Sequence, residues 1–320
     1  MVHISFNVQE GEGIELSKTY KVGHTFPVFI LTDGNGDIIY RWTGYTGAPR
    51  FISSLNKGMS DLTTVKERIA MYDSDPTHDR ALLLARYFVD TGEYLDAIAY
   101  FREAEKLKPS SNIDYSYDIF ANSANAAWKD MLSFEEVLSV ADSILYASNK
   151  DNKSIVRVAR AMSRLTRKLE KEEYVKKYLQ AGLDAAAGSR DEKNRDTHTS
   201  LSIEYALQVE NDTIKAITMK KKSMGTDWTK NPEKFYNYSK WCLERKVALS
   251  EAEMLAKKAA HLAKGAEFKA QVYNTIAEIC FARGNLEEAI KIMDLAIEQD
   301  PGNMQYQDRQ EQYLEQWEKR

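Results

Sequence analysis

Cysteine is almost absent from the chain: its 320 residues include only Cys242 and Cys280. Two widely separated thiols exclude a disulfide-stapled scaffold, a cysteine-rich zinc module and a Cys-x-x-Cys redox pair within this chain. Histidine is scarce too. The five (residues 3, 24, 78, 198 and 261) have no i, i+4 partner and no adjoining thiol or carboxylate motif, so neither a metal nor a cofactor is expected. There is no excess of one charge, since 44 Lys+Arg face 48 Asp+Glu for a net −4, which argues against a nucleic-acid or anionic-membrane binder. No run approaches the roughly 18–20 apolar residues that span a bilayer. The first residues lack the basic start and apolar stretch of a secretion signal. Phosphate-cradling glycine loops and the Gly-x-Ser-x-Gly elbow are also missing, so nucleotide and hydrolase chemistry have no foothold. What is present is a chain 43% apolar and 29% charged, able to bury a core.

Glycine is unevenly placed, with eight of fifteen before residue 60. Of six prolines, those at 76, 109 and 301 sit just outside periodic segments, where they end or begin helices. A turn-rich leading segment therefore gives way to a long helical one. In the leading segment Val2, Ile4, Phe6 and Val8 alternate with polar residues, which predicts a strand. A short helix is expected from about Ile14 to Tyr20. Val28 to Leu31 is an unbroken apolar run suited to a strand buried on both faces. Asp33, Gly34, Asn35 and Gly36 supply a tight turn, Asp37 to Trp42 the returning strand, and about Pro49 to Lys57 a closing helix. The expected order is β-α-β-β-α over residues 1–60.

From about Asp61 the pattern is one of amphipathic helices joined by short turns, and it repeats. Ala81, Leu84, Ala85, Phe88, Gly92, Tyr94, Ala97, Phe101, Ala104 and Pro109 recur at identical spacing as Tyr273, Ile276, Ala277, Cys280, Gly284, Leu286, Ala289, Met293, Ala296 and Pro301. These positions resemble the tetratricopeptide repeat: small residues where two helices cross, a bulky wedge between hairpins, glycine at the turn. Looser copies lie around Ala121, Ala124, Trp128, Phe134, Val137, Ala141 and Ile144, then Tyr174, Tyr178 and Ala181, then Ile214, Ala216 and Ile217, then Ala252, Ala256 and Ala259. The resemblance implies an α-solenoid of about six helical hairpins with a period of about 36–40 residues over 61–303. Residues 304–320, rich in Gln, Glu and Tyr, read as a polar capping helix.

The stretch from Tyr20 through Val22, Gly23, Phe26 and Pro27 to Phe29, with the 33–37 turn and Gly44-Tyr45, resembles the second half of a thioredoxin domain. That resemblance covers residues 1 to about 58. It implies that Pro27 is a cis-proline, that Phe26-Pro27 forms the backbone ledge facing a redox motif, and that Gly44 borders the substrate groove. It also implies that the active-site Cys-x-x-Cys would precede Met1, and that a first central strand is missing. Either the chain is part of a longer thiol–disulfide oxidoreductase, or the module is naturally degenerate and caps the helices. Likeness to exported thioredoxin-like proteins points to a bacterial periplasm, while the low cysteine count suits either side of a membrane.

Three further features compete with plain structural readings. Asp33, Asn35 and Asp37 imitate the start of a calcium loop, but Ile38 and Gly44 stand where that loop needs Gly and Glu, so a turn is expected. Arg157, Arg160, Arg164 and Arg167 form a basic stripe on one helix, fit either for an acidic peptide or for pairing with neighbouring acids. Phe235, Tyr236, Tyr238 and Trp241 favour inter-repeat core over a docking stripe. The expected protein is a non-catalytic protein–protein interaction scaffold whose helical groove holds a protein or peptide partner, without cofactor, metal, nucleic acid or membrane span.

Overall fold

The leading segment folds around its turn. Asp33 Oδ1 accepts the backbone N–H groups of Asn35 at 2.9 Å and Asp37 at 2.8 Å, so its carboxylate organises a turn, as expected. The turn joins β1 (Val28–Thr32) to β2 (Ile38–Thr43), an antiparallel pair in which Phe29 faces Trp42 and Leu31 faces Tyr40. Phe29 stacks on Trp42 with ring centres 5.0 Å apart, and Phe51 of α2 (Ala48–Met59) meets Phe29 edge-on at 5.0 Å. Aromatic packing therefore closes one face. The other carries Ile39 and Arg41, both buried. Arg41 donates to the carbonyls of Tyr20 and Lys21, just past α1 (Glu12–Thr19). Arg68 of α3 (Val65–Ser74) donates to the Ile39 carbonyl at 2.7 Å.

The computed structural model describes residues 4–8, 10–23, 26–148, 151–187, 192–226 and 228–319. Two expectations are corrected here. Residues 4–8 form no strand, and Val2 and His3 lie outside the described residues. The run from Val28 to Leu31 is half-buried rather than enclosed on both faces, because the sheet has two strands and β1 has no second strand beside it among the described residues. The order seen is therefore α-β-β-α.

Helix accounts for 72% of the described residues, and the chain divides into two compact units, residues 1–211 and 212–320. The first continues with α4 (His78–Thr91), α5 (Tyr94–Leu107), α6 (Ser116–Trp128), α7 (Phe134–Leu145), α8 (Asn152–Lys168), α9 (Lys176–Ala187) and α10 (Glu192–Gln208). The second holds α11 (Thr213–Ser223), α12 (Pro232–Arg245), α13 (Leu249–Leu262), α14 (Ala266–Ala282), α15 (Leu286–Gln299) and α16 (Met304–Glu318). α4–α5, α6–α7, α8–α9, α12–α13 and α14–α15 pack as hairpins. Among the described residues these are five pairs, beside the about six expected, and α10 packs on α9.

Small residues explain the tight pairing. Ala85, Ala97 and Ala104 of the α4–α5 pair are fully buried. At Gly182 of α9 a Cβ would sit 2.5 Å from the Ala159 methyl of α8, so only glycine lets these two helices cross as closely as they do. The larger core of the first unit gathers Phe120, Val137, Ile155, Met162, Leu165 and Tyr178 from α6 to α9. In the second unit Phe235, Tyr238 and Trp241 are buried, the core reading of that aromatic group. α16 is less polar than a plain cap: Leu314 and Trp317 are exposed on it, while Tyr306 and Tyr313 anchor it.

Candidate protein-docking face

α8 is built to expose its arginines. Ile155, Val158, Ala159, Met162 and Leu165 bury one side, which turns Arg157, Arg160, Arg164 and Lys168 outward. Asp151 starts the helix by accepting the N–H groups of Lys153 at 3.2 Å and Ser154 at 2.9 Å.

The four arginines have different surroundings. The Arg157 guanidinium lies 3.5 Å from the centre of the Tyr117 ring on α6, a cation–π stack. Beside it, burial holds the Asp118 carboxyl above its usual range, and Arg157 and Arg86 partly offset this. Arg160 donates to Thr197 Oγ1 of α10 at 2.9 Å. Arg167 pairs with the buried Glu204 of α10, which also accepts from Gln208 Nε2 at 3.1 Å. Gln208 in turn donates to Ser163 at 2.7 Å, so the end of the stripe is a hydrogen-bonded tie between α8 and α10. Arg164 is exposed and has no partner among the described residues.

The stripe also meets an aromatic from one of the looser repeat copies. Trp128, at the end of α6, is 47% exposed, and Lys168 lies 5.9 Å from its ring centre. Arg160, Arg164 and Lys168 succeed one another at i, i+4 and i+8, so Trp128 stands at the end of one basic row.

Phe26, Pro27 and Gly44 meet at the open end of the hairpin. The Phe26–Pro27 peptide is cis, Phe26 is half exposed, and the Gly44 N–H donates to the Pro27 carbonyl at 2.8 Å. His24 lies outside the described residues. Both thiols belong to the second unit, where burial pushes Cys242 and Cys280 up to about 11 each. Neutral and enclosed, they are poor nucleophiles. Among the described residues no cluster of His, Cys, Asp or Glu is arranged to hold a metal, and no helix is long and apolar enough to cross a membrane.

Helix pairs, small residues at their crossings and glycine at their turns define a class of helical-repeat proteins. More particularly, residues 80–111 and 270–303 match the tetratricopeptide repeat family, and these stretches take in α4–α5 and α14–α15. Among solved structures the chain is similar to one described as the TPR2AB-domain–pHSP90 complex of yeast Sti1, at 16% identity, over 74% of this chain and 96% of that one, with a TM-score of 0.27. No curated protein matches. The matched repeats lie wholly in the helical segment, and the family match does not extend to residues 1–58.

Proposed function

We propose that this chain is a protein-interaction scaffold whose first unit docks an acidic segment of a partner protein against α6 and α8. The observation that carries this reading is the row of Arg164 and Lys168 ending at the half-exposed Trp128. Tryptophan and arginine are the residues most enriched where binding energy concentrates in interfaces. A cation without a counter-ion does not have to break an internal pair in order to bind a carboxylate. Arg160 borders the row, while Arg157 and Arg167 hold it in place through Tyr117 and Glu204. The repeats supply the frame, since hairpins that bury their faces against neighbours leave a continuous outer surface for binding.

In this reading the chain has three parts: a cap over residues 1–60, repeats over 61–303 and a terminal helix over 304–320. The helix–strand–strand–helix order of the cap supports its likeness to half a thioredoxin domain, and the bond from Arg68 of α3 to the Ile39 carbonyl supports its service as a lid on the helical segment. Phe26, Pro27 and Gly44 then form its outer rim. A redox role in the chain as it stands would need a reactive thiolate, and its two thiols are buried.

The test is fluorescence anisotropy with a labelled octapeptide of alternating Asp and Ala. Arg164→Glu with Lys168→Glu should weaken binding at least about tenfold, and Trp128→Ala should weaken it as well. Affinity unchanged by the charge reversals would refute the assignment.

A further inference from the structure

The second helices of successive hairpins leave a cleft between them in each unit. In the first, between α5 and α7, it holds about 140 Å³ and is lined by Arg102, Glu136 and Val140. In the second, between α13 and α15 with α14 as its floor, it holds about 250 Å³. The repeat places the two in register: Ala97, Phe101 and Ala104 correspond to Ala252, Ala256 and Ala259, which sets Lys257 at the place of Arg102. Likewise Glu288 and Ile292 stand where Glu136 and Val140 do. Arg102 and Glu136 both line the first cleft, while Lys257 lines the second and is balanced by Glu253 at 2.8 Å and Glu288 at 3.5 Å.

The second cleft departs from this balance. His261, in the last turn of α13, and Lys269, on α14, line it, whereas Leu95 and Leu132 line the first. Lys269 pairs with no carboxylate among the described residues, and its ammonium lies 5.8 Å from the centre of the Tyr273 ring. Tyr273, Ile276 and Ile292 make the apolar wall below. An uncompensated ammonium beside an apolar cleft is complementary to a carboxylate carried next to an apolar side chain.

We infer that the cleft between α13, α14 and α15 is a second docking site, which takes an apolar side chain of a partner protein flanked by acidic residues. The aromatic or aliphatic side chain enters over Ile276 and Ile292, and its acidic neighbours meet Lys269 and His261. This site is independent of the face on α6 and α8 and stands or falls without it.

The probe is a fluorescein-labelled pentapeptide Asp-Glu-Phe-Glu-Asp, compared with Asn-Gln-Phe-Gln-Asn and Asp-Glu-Gly-Glu-Asp on the full chain carrying Arg164→Glu and Lys168→Glu. The acidic Phe peptide should bind at least about tenfold more tightly than either control, and adding Lys269→Glu with His261→Glu should remove that advantage. In the unaltered chain, methyl NMR should show the Ile276 and Ile292 signals moving on titration while Val140 stays still. Equal binding of the three peptides, affinity indifferent to the Lys269 and His261 reversals, or unmoved Ile276 and Ile292 methyls would each overturn the proposal.

Discussion

The hairpins α4–α5 and α14–α15 are two copies of one design that share the alanines of the helix crossing and differ mainly in their large residues, with Ala81 of one replaced by Tyr273 in the other. Ala85, Ala97 and Ala104 in one match Ala277, Ala289 and Ala296 in the other, all fully buried. Gly92 and Gly284 take the same left-handed conformation, with φ of 76° and 80°. Phe101 becomes Met293, and Phe88 becomes Cys280. Phe88 stacks on Tyr100 at 5.4 Å, whereas Cys280 fills its place as a small enclosed thiol. Backbone approach at the helix crossing has one solution, a missing side chain. Volume in the wedge has several, provided neighbours adjust. That freedom is what lets the two units carry different surfaces on one frame.

The largest effect that would break this comparison comes from emptying the wedge. Phe101 closes a cluster with Ala81, Ala85, Ala104 and Tyr115, so Phe101→Ala should cost about 3–5 kcal/mol, and Met293→Ala about 2–5 kcal/mol. Because each repeat is supported by its neighbours, amide exchange should quicken around α4 and α5 for the first variant and around α14 and α15 for the second. Equal quickening across the whole chain for either variant would show that the copies are not separate units of stability.

A smaller effect tests the turns. Gly92→Ala and Gly284→Ala both force an alanine into the left-handed region, at about 1–2 kcal/mol each. Their surroundings differ, since a Cβ at Gly92 would lie 3.5 Å from Lys129 Nζ while Gly284 is open. Chemical denaturation of the two variants should give nearly equal losses. A much larger loss at Gly92 would mean that contact, not backbone conformation, fixes that turn.

The same contrast explains what could be read from the chain without coordinates. Spacing alone placed the two clear hairpins, because alanine at a close crossing and glycine at a turn are demands of the backbone and appear at fixed intervals. The 33–37 hairpin and its flanking strands were legible for the same reason. The strand expected from Val2 to Val8 was not borne out over residues 4–8, because alternation describes a strand only if a neighbour exists to pair with it. The exposure of Trp128, a member of a looser repeat copy, was not legible, because periodicity gives a residue's face on its own helix and not what covers that face. The arginine stripe was legible as a row, but which of its members were already engaged depended on Tyr117, Thr197 and Glu204, distant in sequence. The second cleft left no sequence signal beyond the repeat register, since Lys269 and His261 come together only through the packing of α13 on α14.

The smallest expected effect separates helices by the charge of the side chain that begins them. In the first unit several starts rely on carboxylates: Thr64 with Glu67 at α3, Ser133 with Glu136 at α7, and Asp151 at α8. In the second, α11 starts on the carboxylate of Asp212, but α12, α15 and α16 are capped by the neutral side chains of Asn231, Asn285 and Asn303. Hydrogen bonds from Thr64 and Ser133 to Glu67 and Glu136, and from Ser154 to Asp151, hold these carboxyls below their ordinary values. A group depressed in the folded state contributes stability above its unfolded value and loses it as pH falls through the folded one. Amide protection at the starts of α3, α7 and α8 should therefore decline between about pH 5 and pH 3, after correction for intrinsic exchange, while the starts of α12, α15 and α16 hold. Asp151→Asn keeps a capping oxygen and should flatten the decline at α8 alone. If protection at α15 fell in parallel with α8, the acid response would belong to global unfolding and not to the carboxylate caps.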